Sequence, residues 1–105
     1  MQVIVESKNV EVTPAMRAHA KKQAQKLNKV YKKINLVRFF LDNLKKKQND
    51  PKANKVTLKV EIPGKDVVVK EHAVDMYEAI NLAVDSALRH LRKKLEKDRT
   101  ISRRG

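Results

Sequence analysis

Residues 56–62, VTLKVEI, alternate strictly: Val56, Leu58, Val60 and Ile62 are apolar, and Thr57, Lys59 and Glu61 are polar. A period of two predicts a strand with one buried and one wet face. Pro63-Gly64 follows, a pair suited to a tight turn with glycine supplying a positive φ. Residues 66–72, DVVVKEH, return as the next strand. Residues 2–6, QVIVE, and 36–44, LVRFFLDNL, are apolar runs of strand length; Phe39 and Phe40 alternate faces, so one of them should be partly exposed.

Two segments instead show spacings of three and four. Met16, Ala20, Ala24, Leu27, Val30, Tyr31 and Ile34 fall on one face of a helix running from Pro14 to about Ile34. Thr13 can cap it, and Pro14 at the first helical position gives up no needed N–H. Asp75-Met76-Tyr77-Glu78 has the spacing of a capping box. The helix it opens should run to about Asp98 and bury Met76, Ile80, Ala83, Val84, Ala87, Leu88, Leu91 and Leu95.

The order is therefore β-α-β-β-β-α. The first β-α-β step allows a right-handed crossover between parallel strands, and the later strands are close enough for hairpins. This predicts an α+β fold of two layers: a four-stranded mixed sheet with two helices packed on one face. The 105-residue length suits one domain, placed at 1–98, with 99–105 as a basic tail expected to be disordered. Residues 44–55, LKKKQNDPKANK, hold five Lys and one Asp and are expected to form an exposed loop.

Charge changes the picture more than size does. The chain carries 25 Lys plus Arg against 12 Asp plus Glu, a formal net charge of +13. Solubility alone needs about 2–8 net charges, so the excess favours an anionic partner. From Pro14 to Lys33 there are seven bases and no acid. Lys22, Lys26, Lys29 and Lys33 fall within about 60° of one another at the helical period, opposite the apolar stripe. Like charges at that spacing repel. Asp75 to Ser86 holds three acids and no base, whereas Ala87 to Gly105 holds eight bases and two acids. There Arg89, Lys93 and Lys97 form a stripe with Arg92 beside it. The helix dipole favours such a gradient by about 0.3–1 kcal/mol per charge, but it does not explain a first helix that is basic throughout. Two cationic helices on one side of a sheet suit the phosphates of a folded RNA. With lysine prevailing and only two Phe and two Tyr in the chain, they should read backbone and shape rather than bases.

Other chemistry finds little support. Without Cys there are no disulfides, Cys-ligated zinc, thiol catalysis or iron–sulfur clusters. No apolar run nears the ~20 residues of a membrane span, and the N-terminus lacks the features of a signal peptide; a cytoplasmic location is expected. His19, His72 and His90 lie on separate elements without catalytic spacing, and Gly64 stands alone, so no glycine-rich phosphate loop exists. No catalytic residue, metal or cofactor is assigned. The GxxG of a KH domain and the Gly-rich aromatic motif of an RRM are also missing.

Ser7-Lys8, Glu11-Val12-Thr13-Pro14-Ala15-Met16-Arg17 with His19, then Lys26-Leu27 and Lys29, resemble the first strand and helix of the bacterial ribosome hibernation factors. This is the group of hibernation-promoting factor, ribosome-associated inhibitor and light-repressed-transcript proteins. Asp75-Met76-Tyr77 with Ala79-Ile80-Asn81, continued by Arg89, Leu91, Lys93 and Lys97, is similar to the family's last helix. Many relatives carry Lys at the position of Ser86 and a more polar residue at that of Leu88. The resemblance spans about residues 1–98 and implies the fold inferred above. It further implies a non-enzymatic factor that binds the 30S subunit through 16S rRNA, with 70S and 100S ribosomes as further assemblies. Such a factor blocks the mRNA and tRNA path and inhibits translation under stress or in stationary phase. The candidate rRNA contacts are Lys22, Lys26, Lys29, Lys33, Arg89, Arg92, Lys93 and Lys97, with neither a membrane nor a small-molecule substrate as partner. Two other readings stand beside it: a general RNA or DNA chaperone without a ribosomal site, and an enzyme or adaptor using the wet sheet face.

Overall fold

The computed structural model describes residues 1–44 and 50–104, with side chains as far as residue 98. Its elements are β1 (Gln2–Ser7), α1 (Pro14–Val30), β2 (Leu36–Asn43), β3 (Asn54–Ile62), β4 (Lys65–Ala73) and α2 (Met76–Arg104). The strands lie in the order β1-β2-β3-β4. β1 pairs parallel to β2, and the other two pairings are antiparallel. Both helices cover the same sheet face, α1 over β1 and α2 over β3 and β4, and they pack against each other. The mixed sheet with a one-sided helical layer is the expected architecture.

The core lies between the layers. Val37, Phe39 and Leu41 of β2, and Val56, Leu58 and Val60 of β3, meet Leu27 of α1 and Ile80, Val84 and Leu91 of α2, all fully buried. Each such side chain contributes about 1.5–3 kcal/mol by leaving water. The predicted alternation holds along β3 without interruption.

Local chemistry sets the helix starts. Thr13 Oγ1 accepts from the Met16 N–H at 3.1 Å, and Pro14 occupies the first turn. Asp75 Oδ1 accepts from the Tyr77 N–H at 3.2 Å, so the capping bond reaches the second helical residue rather than the third. Glu78 stands in the first turn, where the helix dipole favours its charge.

Three boundaries differ from the expectation by more than one residue. α1 ends at Val30, before Ile34: Tyr31 is already extended, and its N–H makes the closing bond to the Leu27 carbonyl at 2.9 Å. The chain must turn there to bring Leu36 beside Gln2 for the parallel pairing. Ile34 still reaches the core, but from the connection. β3 starts at Asn54 because Asp42 and Asn43 pair with Lys55 and Asn54; these polar residues hide the strand from a hydrophobicity pattern. The expected 44–55 loop is shortened accordingly, and its central residues 45–49 lie outside the described residues. α2 continues to Arg104 rather than ending near Asp98, since no Gly or Pro interrupts the sequence before Gly105. Among the described residues no helix is long and apolar enough to cross a membrane.

Candidate nucleic-acid interface

α1 and α2 run side by side in the same direction. At their starts, His19 of α1 meets Tyr77 and Asn81 of α2. Where α1 ends, Val30 and Tyr31 share a groove with Leu95 and Asp98 of α2. Helical register is kept over this length because small and apolar residues (Ala20, Ala24 and Leu27 on α1; Ala83, Ala87 and Leu91 on α2) are buried between the elements.

The parallel arrangement gathers both helix C-termini at one end of the molecule. At the level where α1 ends, Lys32 and Lys33 line the groove shared with Leu95 and Asp98, whereas Lys93, Lys94 and Lys97 line the groove on the β4 side of α2. The lysines that follow α1 and the basic C-terminal half of α2 thus lie toward the same end of the helical layer, on different sides of α2.

All eight candidate residues are exposed. Lys22, Lys26 and Lys29 lie on α1, away from buried Ala20, Ala24 and Leu27. Lys33 departs from the expected stripe, because α1 has ended and the residue sits in the turn toward β2. Arg89, Arg92, Lys93 and Lys97 lie on α2 as expected, but Lys93 and Lys97 also line a groove against β4. Ser86, where the family's relatives often carry Lys, is 7% exposed, and its carbonyl accepts from His90 Nδ1 at 2.8 Å. That position belongs to the packing of α2, not to a basic surface.

Ion pairs among the described residues fall elsewhere. Arg38 Nε lies 3.2 Å from Glu6 Oε1, an ion pair by distance although the N–H makes no directed hydrogen bond. Lys59 Nζ lies 3.6 Å from Glu61 and 3.5 Å from Asp66. These pairs occupy the open face of the sheet, where four bases (Arg38, Lys55, Lys59, Lys70) stand against four acids (Glu6, Asp42, Glu61, Asp66). Lys94 pairs with Asp98 at 3.7 Å along α2. The sheet face is electrically balanced, and among the described residues the excess positive charge belongs to the helical layer and the turn after α1. The open face also exposes Phe40 and Val68.

Sequence spacing missed the tie between the helices. His19 and Asn81 are 62 residues apart, a separation that only tertiary structure can close. Both belong to the segments that carry the family resemblance, so the two motif pieces meet in space and brace each other.

The sequence profile described as "Sigma 54 modulation protein / S30EA ribosomal protein" matches residues 3–99. The chain belongs to this family. It is similar to the ribosome hibernation promotion factor of Deinococcus radiodurans, 34% identical over 82% of this chain and 44% of that protein. It is likewise similar to the ribosome hibernation promoting factor of Pseudomonas putida, 31% identical over 96% of this chain and 93% of that one. The chain thus spans under half of the Deinococcus relative and nearly all of the Pseudomonas one. Among solved structures, the N-terminal domain of Thermus thermophilus Protein Y superposes with a TM-score of 0.76 at 24% identity, covering 89% of this chain and 98% of that one. A ribosomal subunit interface protein from Coxiella burnetii gives 0.78 at 18%, covering 91% and 99%. Both share the fold.

Proposed function

We propose that this S30EA family protein is a ribosome hibernation factor. It binds the 30S subunit through 16S rRNA, occupies the path of mRNA and tRNA, and inhibits translation under stress or in stationary phase. It acts in the cytoplasm, by occupancy and without catalysing a reaction. Residues 1–98 form the ribosome-binding domain, and 70S and 100S ribosomes are further assemblies in which it resides. Lys22, Lys26, Lys29, Arg89, Arg92, Lys93 and Lys97 contact rRNA phosphates, with Lys33 joining them from the turn after α1.

The observation that carries this reading is the partition of charge. The eight candidate bases stand exposed on the helical layer and its connecting turn, while the sheet face balances its own charges. Maintaining like charges in proximity costs stability, and a polyanion offsets that cost by releasing its counterions when the bases replace them. The names of the two hibernation-factor relatives support the choice of polyanion.

Cosedimentation with purified 30S subunits over a salt series tests it. Wild-type protein should pellet with the particle, and log K should fall by about 0.7–0.9 per phosphate contact per log unit of salt. The variant with Lys26, Lys29, Arg89 and Lys93 all changed to Glu should stay in the supernatant while keeping its circular dichroism spectrum. Normal binding by the folded variant would refute the surface. Equal affinity of the wild type for arbitrary duplexes and for ribosomes would favour a general nucleic-acid chaperone.

A further inference from the structure

A groove of about 360 Å³ opens between the start of β4 and the C-terminal half of α2. Its origin is a matter of lengths. The nine residues of β4 span about 30 Å, a distance that a helix covers in about 20 residues. α2 leaves the far end of β4 at Met76, so it comes level with Lys65 near residues 93–97. Along the sheet α2 packs closely through Ala79, Ala83 and Ser86, all buried. Beyond them the same side of the helix carries His90, Lys93 and Lys97, and these long side chains rim the groove instead of closing it.

Lys65 completes the rim from the opposite wall. It pairs in register with Ile62, which is buried beneath the helices, so Lys65 belongs to the helical side of the sheet. The other charges of the groove are already engaged. Asp66 pairs with Lys59, and Lys94 pairs with Asp98. His90 is oriented by its Nδ1–H, which donates to the Ser86 carbonyl. Three cations remain outside the ion pairs of the described residues: Lys65, Lys93 and Lys97, above a floor that includes Ile62 and Val67.

From this geometry we infer that the groove seats a backbone phosphate of RNA between Lys65 and the Lys93–Lys97 side of α2. The nucleic-acid surface thereby wraps from the helices onto the β3–β4 turn. The inference rests on the ribosome-binding reading above, and adds to it a contact from an element that no helical stripe includes. Charge complementarity selects the occupant: three cations outside ion pairs face one opening, and a phosphodiester is the anion that ribosomal RNA presents.

The test measures affinity for purified 30S subunits against salt for wild type, Lys65→Gln, Lys65→Glu and, as a control on the balanced face, Lys70→Gln. Lys65→Gln should weaken binding roughly tenfold, the size of one charge-assisted hydrogen bond, and make the log K–log salt slope shallower by about 0.7–0.9. Lys65→Glu should weaken it further, and Lys70→Gln should leave both quantities unchanged. Lys65 is exposed at a strand end, so thermal melting should show all four proteins folded alike. Wild-type affinity and slope in both Lys65 variants would overturn the groove while sparing the helical surface. Lower affinity with an unchanged slope would assign the groove to a ribosomal protein and overturn the phosphate seat. An equal loss in Lys70→Gln would show a nonspecific charge effect and also overturn it. No binding by the wild type would bring down the ribosome reading and the groove together.

Discussion

His19 Nε2 lies 2.7 Å from Asn81 Oδ1, joining the second turns of two parallel helices that are separated by most of the chain. With the amide oxygen as acceptor, Nε2 carries the proton. The same imidazole meets the Tyr77 ring edge-on, with centroids 5.2 Å apart at 67°. One side chain of α1 therefore fixes the axial register of α2 through a polar and an aromatic contact. That register carries the basic C-terminal halves of both helices toward the same end of the helical layer.

Replacing His19 by Ala should cost about 1–2 kcal/mol, since it removes a part-buried hydrogen bond and a ring contact together. Asn81→Ala should cost about 1 kcal/mol. Because both changes break one contact, the double variant should lose less than the sum, by about 0.5–1 kcal/mol. Urea denaturation of the four proteins measures this coupling. Strict additivity would mean that the bond contributes nothing to holding the helices in register.

Phe39 and Phe40 are neighbours with opposite fates, 0% and 37% exposed. Phe39→Ala should destabilise the fold by about 3–5 kcal/mol, because it opens a cavity between sheet and helices. In a domain with only ~5–15 kcal/mol of total stability, this is a large share. Phe40→Ala should cost under about 1 kcal/mol, as expected for a side chain already partly in water. Equal midpoints in a thermal melt of the two variants would contradict the assignment of faces.

Gly64 has φ +84°, the value required at the third position of a turn with Pro63 before it. A Cβ placed there meets nothing within 4 Å, so any penalty belongs to the backbone. Gly64→Ala should therefore cost about 1–2 kcal/mol. Gly64→Asn should cost less, since asparagine tolerates the left-handed region. A larger loss for Asn than for Ala, measured by denaturant unfolding, would show that space rather than conformation governs the turn.

Much of the architecture was legible because it rests on local rules. The period-two pattern of Val56 to Ile62 placed β3 and its wet face. The Thr13-Pro14 and Asp75 signals placed both helix starts within hydrogen-bonding distance of their caps. The ends were harder to read. Tyr31 and Ile34 continue the apolar spacing of α1, yet the chain needs those residues to turn toward the parallel pairing of β2 with β1. Asn54 and Lys55 carry no hydrophobic signal, and only their partners Asn43 and Asp42 make them strand.

The charge was legible as an amount and as stripes on single helices, because composition and helical period are properties of the chain itself. Its arrangement was not. Whether bases on two helices lie toward one end, whether Lys65 joins them, and whether Lys59 is neutralised by Glu61 and Asp66 depend on which elements lie side by side. The sequence alone determined two amphipathic helices, four strands and an excess of positive charge. The tertiary structure decided that the helices run parallel, that His19 meets Asn81, and that the open sheet face is balanced while the helical side is not. The physical reason is range: capping and periodicity act within a turn or two of chain, whereas an electrostatic surface sums groups that only folding brings within a few ångströms of one another.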